Sequence, residues 1–171
     1  MAKIGLCAIL ILCWGISTQG TAAQAAMNEL LVLSLDTDGH ACAVKVPVLN
    51  PQCTADGCIL PAPGGATLDS IKLNFSCLPT SAPTGFENPA REVKVQSIRA
   101  KNAKGHLSLI DDVQSPADER FRELNFCLYG KLNNFCGNAK VLRLKDGSKA
   151  DASPAIKTFI QGIELQTSPS K

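Results

Sequence analysis

The sequence predicts a mainly β fold, an antiparallel β-sandwich or barrel-like domain held by three disulfides. Three observations lead to it. Short runs alternate apolar and polar residues, most clearly where Ile71, Leu73, Phe75 and Cys77 interleave with Lys72, Asn74 and Ser76. Turn chemistry rich in Gly, Pro and Asn separates those runs at regular spacing. Six cysteines remain once an N-terminal leader is set aside.

That leader comes first. Lys3 supplies a positive start, Leu6 to Ile16 are apolar, and Ala23-Gln24-Ala25 is a small-x-small cleavage site, so residues 1–25 read as a secretory signal peptide. The apolar run is shorter than the roughly 20 residues of a bilayer-spanning helix. Cleavage after Ala25 removes Lys3, Cys7, Cys13 and Trp14 from the 171 residues. It leaves 146 residues with six of the eight cysteines, 16 of the 17 cationic side chains and all 15 acidic ones. That length suits a single disulfide-bonded β domain spanning 26–166. The near-neutral balance argues against nucleic acid or an anionic membrane as partner.

In an oxidising compartment an even cysteine count reads as disulfides, with secreted or periplasmic localisation. Zinc is the rival, but the tightest spacing is Cys53-x4-Cys58, and His40 and His106 lie far from it, so no metal or cofactor is expected. The stretch FCLYGKLNNFC carries turn residues from Gly130 to Asn134. Folding back there sets Cys127 against Cys136 on adjacent strands, as a closely spaced non-hydrogen-bonded pair would allow. Cys53 and Cys58 flank Thr-Ala-Asp-Gly and close a small loop. Cys42 and Cys77 are then left to join two strands.

The elements follow in order. NELLVLSL (28–35) and CAVKVPV (42–48) form a hairpin around an Asp-Gly turn, with a first helical turn at 28–33 as the alternative, and Pro47 marks an edge. Residues 49–67 carry Pro and Gly throughout and read as loop. Leu68 to Cys77 is the clearest strand, and 78–90 is a second Pro-rich connection. Glu92 to Lys101 alternates at Val93 and Val95 and slips phase at Ile98, which predicts a β-bulge near Gln96-Ser97. Residues 102–105 turn into HLSLIDDV, residues 114–120 are loop, and Phe121 to Tyr129 is a strand with Leu124, Phe126 and Leu128 on one face. Val141 to Leu144 is a short strand. Residues 154–166 fit a strand better than the alternative, a short C-terminal helix begun by Ser153-Pro154, because they are rich in β-branched residues and contain Gly162. The tail at 167–171 reads as disordered.

Catalytic chemistry finds little support. His40 and His106 sit beside turn glycines and read as solvated turn histidines, with no Gly-x-Ser-x-Gly elbow to partner them. Asp36 and Asp38 lack the remaining ligands of a calcium loop. Asp111 and Asp112 suggest a glycosidase pair, but adjacent strand residues point to opposite faces and no Trp remains as a sugar platform. Asn74-Phe75-Ser76 matches a glycosylation sequon. Arg91, Lys94, Arg99, Lys101 and Lys104 make one hairpin arm basic, and Asp111, Asp112, Asp118, Glu119 and Glu123 follow. Cross-strand charge pairing accounts for this pattern, and a protein-binding surface is the sharper reading. The expectation is an exported, non-enzymatic binding protein that contacts another protein, for instance a secreted hydrolase it inhibits, through the long loops 49–67 and 78–90. A small hydrolase using His or the Asp pair, and a structural subunit of a surface assembly, are the alternatives. The oligomeric state is not legible.

Overall fold

The computed structural model describes residues 29–34, 41–47, 52–62, 68, 70–86 and 93–166. The leader expected at 1–25, Asp36, Asp38, His40, Arg91 and the tail at 167–171 lie outside them.

In chain order the strands are β1 (Glu29–Ser34), β2 (Ala41–Val46), β3 (Gln52–Thr54), β4 (Gly57–Pro61), β5 (Ser70–Pro79), β6 (Lys94–Arg99), β7 (Lys104–Asp111), β8 (Phe121–Tyr129) and β9 (Asn133–Arg143). Helix α1 (Ser153–Gln161) and strand β10 (Glu164–Leu165) complete the chain. Among the described residues these strands make two antiparallel sheets, and neither closes into a barrel. One has three strands in the order β1-β2-β10. The other has seven in the order β3-β4-β5-β9-β8-β7-β6.

The register of the larger sheet decides what lies inside. Leu73 opposes Ala139, which opposes Leu124, which opposes Leu109. Cys77, Phe135, Leu128 and Gly105 form a parallel row. All these side chains share one face, and the three-stranded sheet and α1 cover it. Leu31, Val44 and Val46 from that layer, and Ile156, Ile160 and Ile163 from the α1 region, belong to the same buried cluster as Leu73, Leu124 and Phe135. Full burial of each large side chain contributes about 1.5–3 kcal/mol. The Cys42–Cys77 disulfide runs between the layers, from β2 to β5. No helix among the described residues is long and apolar enough to cross a membrane.

The cysteines pair as Cys42 with Cys77, Cys53 with Cys58 and Cys127 with Cys136. These are the pairs that hairpin geometry and elimination favour. Cys53 and Cys58 are directly opposed on β3 and β4, and Cys127 and Cys136 on β8 and β9. Their Cα atoms are 4.1 and 4.0 Å apart.

Four readings need correction. Residues 52–61 are a hairpin rather than loop, and the sheet extends through it to an edge at β3. Strand β9 runs from Asn133 to Arg143, well beyond the short strand expected at 141–144, and Leu144 belongs to a 3-10 turn. Gly137 and Asn138 look like turn residues, yet both sit in mid-strand. Gly137 opposes Phe75 and Phe126, and a Cβ there would lie 2.3 Å from the Asn74 carbonyl oxygen and 2.7 Å from the Phe126 ring. β6 pairs with β7 in unbroken register, so no bulge lies at Gln96-Ser97. The register shift falls instead between Arg122 and Glu123. Finally, 153–161 is helical and only Glu164–Leu165 is strand. Asp151, not Ser153, closes the helix start, because its carboxylate accepts the Ser153 backbone N–H at 2.8 Å and also the Ser153 hydroxyl. Gly162 ends the helix where the Pro47 ring packs so close that a Cβ would lie 2.4 Å from it.

Candidate binding face of the large sheet

The opposite face of the seven-stranded sheet carries the polar half of each alternation. Its central row is Asn74, Asn138, Asn125, Ser108 and Val95, contributed by β5, β9, β8, β7 and β6. The Asn74 side-chain N–H donates to the Asn138 side-chain oxygen at 2.9 Å. The sequon amide at Asn74 is therefore engaged in a mid-sheet ladder. Ser108 is only 2% exposed although it lies on the outer face.

The segment 84–86 lines the same groove as Ser108. Thr84, Gly85 and Phe86 lean over the outer face and enclose, with Val93, Val95 and Ile110, a groove of about 430 Å³. Asn125 and Asn138 lie in its lining. The groove thus has a neutral amide floor, apolar flanks and one aromatic edge. Ile110 at its rim is 40% exposed. This also accounts for the phase slip in β6: Val93 and Val95 serve the groove, whereas Ile98 and Ala100 serve the core.

The next row on this face is Ser76, Cys136, Cys127, His106 and Ser97. His106 is not a solvated turn residue. It sits within β7, half-buried, with its Nδ1 2.7 Å from the Tyr129 hydroxyl and its ring 6.1 Å from that of Phe86.

The basic arm divides. Arg99 opposes Lys104 directly, and Lys104 opposes Tyr129, so all three share the outer face at the closed end of the β6–β7 hairpin. Lys101 lies in the hairpin turn, and Lys94 opposes Leu109 at the far end. The cross-strand charge pairing expected between this arm and the acidic segments does not form among the described residues. Asp111 is held instead by Arg122, whose Nε and Nη2 donate to its two oxygens at 2.6 and 2.9 Å. The same guanidinium donates to Asp151 at 2.8 Å. Asp112 accepts the backbone N–H groups of Gln114 and Ser115 at 2.9 and 3.1 Å.

These contacts decide what the aspartate pair can do. Hydrogen bonding to Arg122 pulls the Asp111 carboxyl below the ordinary carboxylate range. Hydrogen bonds from Ser115 and Gln114 do the same for Asp112. A glycosidase pair needs one carboxyl raised so that it can donate a proton. Here both move down, so the pair offers two acceptors and no acid near neutral pH. No group of three or more His, Cys, Asp or Glu side chains that could hold a metal occurs among the described residues.

The outer-face groove was not visible in the sequence. Its floor and flanks come from five strands, β5 to β9, and its roof from a connection that reads only as Pro-rich spacer. The asparagines Asn74, Asn125 and Asn138, one on each of β5, β8 and β9, were the available signal. No protein-family model, curated protein or solved structure matches this chain, so its function is argued from geometry.

Proposed function

We propose that the chain is an exported, non-enzymatic binding protein that contacts another protein through the outer-face groove of its seven-stranded sheet. The observation that carries this reading is the groove itself: amide side chains on its floor, Val93, Val95 and exposed Ile110 beside them, and Phe86 above. A sheet face that only met water would be polar throughout. Rigid strands bearing apolar contacts around a few fixed hydrogen-bonding groups suit the recognition of an uncharged, apolar-tipped loop. Of the two long connections named from the sequence, 78–90 supplies Thr84, Gly85 and Phe86 to the groove lining, whereas much of 49–67 is the β3–β4 hairpin. Inhibition of a secreted hydrolase is one form such binding would take. Three disulfides fit an oxidising compartment, and the leader-like residues 1–25 support export to the cell exterior or periplasm.

The test uses the oxidised chain as bait in the native exported fraction. A single partner should be retained by the wild type and by Asp111→Asn and Asp112→Asn, and lost with the double variant Val95→Asp/Ile110→Asp. Hydrolysis of ester, peptide or glycoside substrates that disappears with His106→Ala would replace this reading with an enzymatic one.

A further inference from the structure

One end of the outer face has an arrangement that folding alone does not favour. Arg99 and Lys104 are direct cross-strand partners, and both are exposed. Like charges in that position destabilise a sheet, because directly opposed Cβ atoms are only ~4.5–5.5 Å apart. Among the described residues neither is in an ion pair; the ion pairs there are those of Arg122 with Asp111 and Asp151. From Val93 to Ile110 there is no acidic residue, while Lys94, Arg99, Lys101 and Lys104 all fall within that span.

The surroundings add further donors. The Tyr129 hydroxyl stands in the row of Arg99 and Lys104, and Ser97 and His106 form the next row. Together they line a cavity of about 500 Å³, separate from the groove and divided from it by the Phe86–His106 pair. A guanidinium fork, an ammonium and two hydroxyls present many N–H and O–H donors, and among the described residues no carboxylate lines the cavity.

We propose that Arg99, Lys104 and Tyr129, with Ser97 and His106 beside them, bind an oxyanion. The group is a phosphate, a sulfate or a carboxylate, seated between the guanidinium and the ammonium. The guanidinium grips two of its oxygens, the ammonium neutralises it as a point charge, and the Tyr129 hydroxyl orients it. The anion relieves the Arg99–Lys104 repulsion, so binding stabilises the fold. This proposal goes beyond the groove, and its test alters only Arg99, Lys104 and Lys94, none of which is changed in the groove test, so the two fail independently.

The experiment titrates the oxidised protein with inorganic phosphate, inorganic sulfate or a hexaglutamate peptide at constant ionic strength. It follows the Tm and the backbone amide shifts of β6 and β7. We expect a saturable rise in Tm with at least one ligand, at least tenfold weaker binding in Arg99→Gln/Lys104→Gln, and unchanged binding in Lys94→Gln. Tighter binding of the peptide than of the inorganic ions assigns the site to an acidic protein segment. The reverse assigns it to a free oxyanion or its ester. A Tm that follows ionic strength alone, or a double variant that responds like the wild type, overturns the proposal.

Discussion

Strand β8 sends Leu124, Phe126 and Leu128 to one face of the sheet and Asn125, Cys127 and Tyr129 to the other. The inner face meets α1 and the three-stranded sheet, and its side chains interlock with theirs. Among the described residues the outer face is lined by the 84–86 segment and carries a groove and a second cavity. Each face has one disulfide attached to β5 or β9. Cys42–Cys77 ties two layers together, whereas Cys127–Cys136 joins neighbours that the ladder already pairs. Stability and the proposed recognition surface are therefore on opposite strand parities, and a substitution at one residue should affect one without the other.

The largest effect belongs to the inner face. Phe135 is fully buried with its ring 4.9 Å from that of Phe75 and 5.9 Å from that of Phe126. Phe135→Ala should cost about 3–5 kcal/mol in urea unfolding. A cost under 1 kcal/mol would erase the distinction between the faces. The disulfides come next. Cys42 and Cys77 are 35 positions apart, and Cys127 and Cys136 are 9 apart. Replacing both members by Ala should cost about 3–4 kcal/mol for the first pair and about 2–3 for the second, since the longer loop frees more unfolded-chain entropy. The reverse order would show that the outer bridge does more than close a hairpin.

Arg122→Gln should cost about 1 kcal/mol, because two exposed or half-buried carboxylates lose one shared partner. Its pH dependence is more telling. The folded pKa of Asp111 lies below its unfolded value, so the stability it contributes is present above about pH 4 and is lost as pH falls through the lowered value. Wild type and variant should differ fully at pH 6 and converge toward pH 2, as read from denaturant midpoints. A constant gap over that range would mean that Arg122 acts through packing alone. The smallest effect lies at the basic end of the outer face. Lys104→Glu turns a repulsive cross-strand pair into an attractive one and should raise stability by a few tenths of a kcal/mol in low salt, with the gain fading as salt increases.

Much of the inner face was legible beforehand, because Ile71, Leu73 and Cys77, and then Leu124, Phe126 and Leu128, alternate without interruption. Two disulfide pairs followed from short spacing and turn residues, and Cys42–Cys77 by elimination. The misses have physical causes. β3 and β4 are short and surround a turn, so punctuation outweighs alternation in 52–61. Gly137 and Asn138 argue against a strand locally, but the Asn74 carbonyl and the Phe126 ring require a glycine there, and the asparagine completes a ladder seen only when β5 and β8 are alongside. The basic arm was legible as composition. That Arg99 faces Lys104 instead of an acid, and that Tyr129 and His106 join them, depends on a register that composition does not specify.

The sulfur bonds have a further consequence. Cys53–Cys58 is nested within Cys42–Cys77, and Cys127–Cys136 closes beyond both, so among the described residues no disulfide spans the connection between Pro79 and Lys94. A protease that cuts there leaves two separate chains. They still meet along the seven paired positions of β5 and β9 and along the seam of β2 and β10. Such a nicked molecule should travel as one species on gel filtration and as two bands on a denaturing gel without reductant, assembled from halves that each complete their own oxidation.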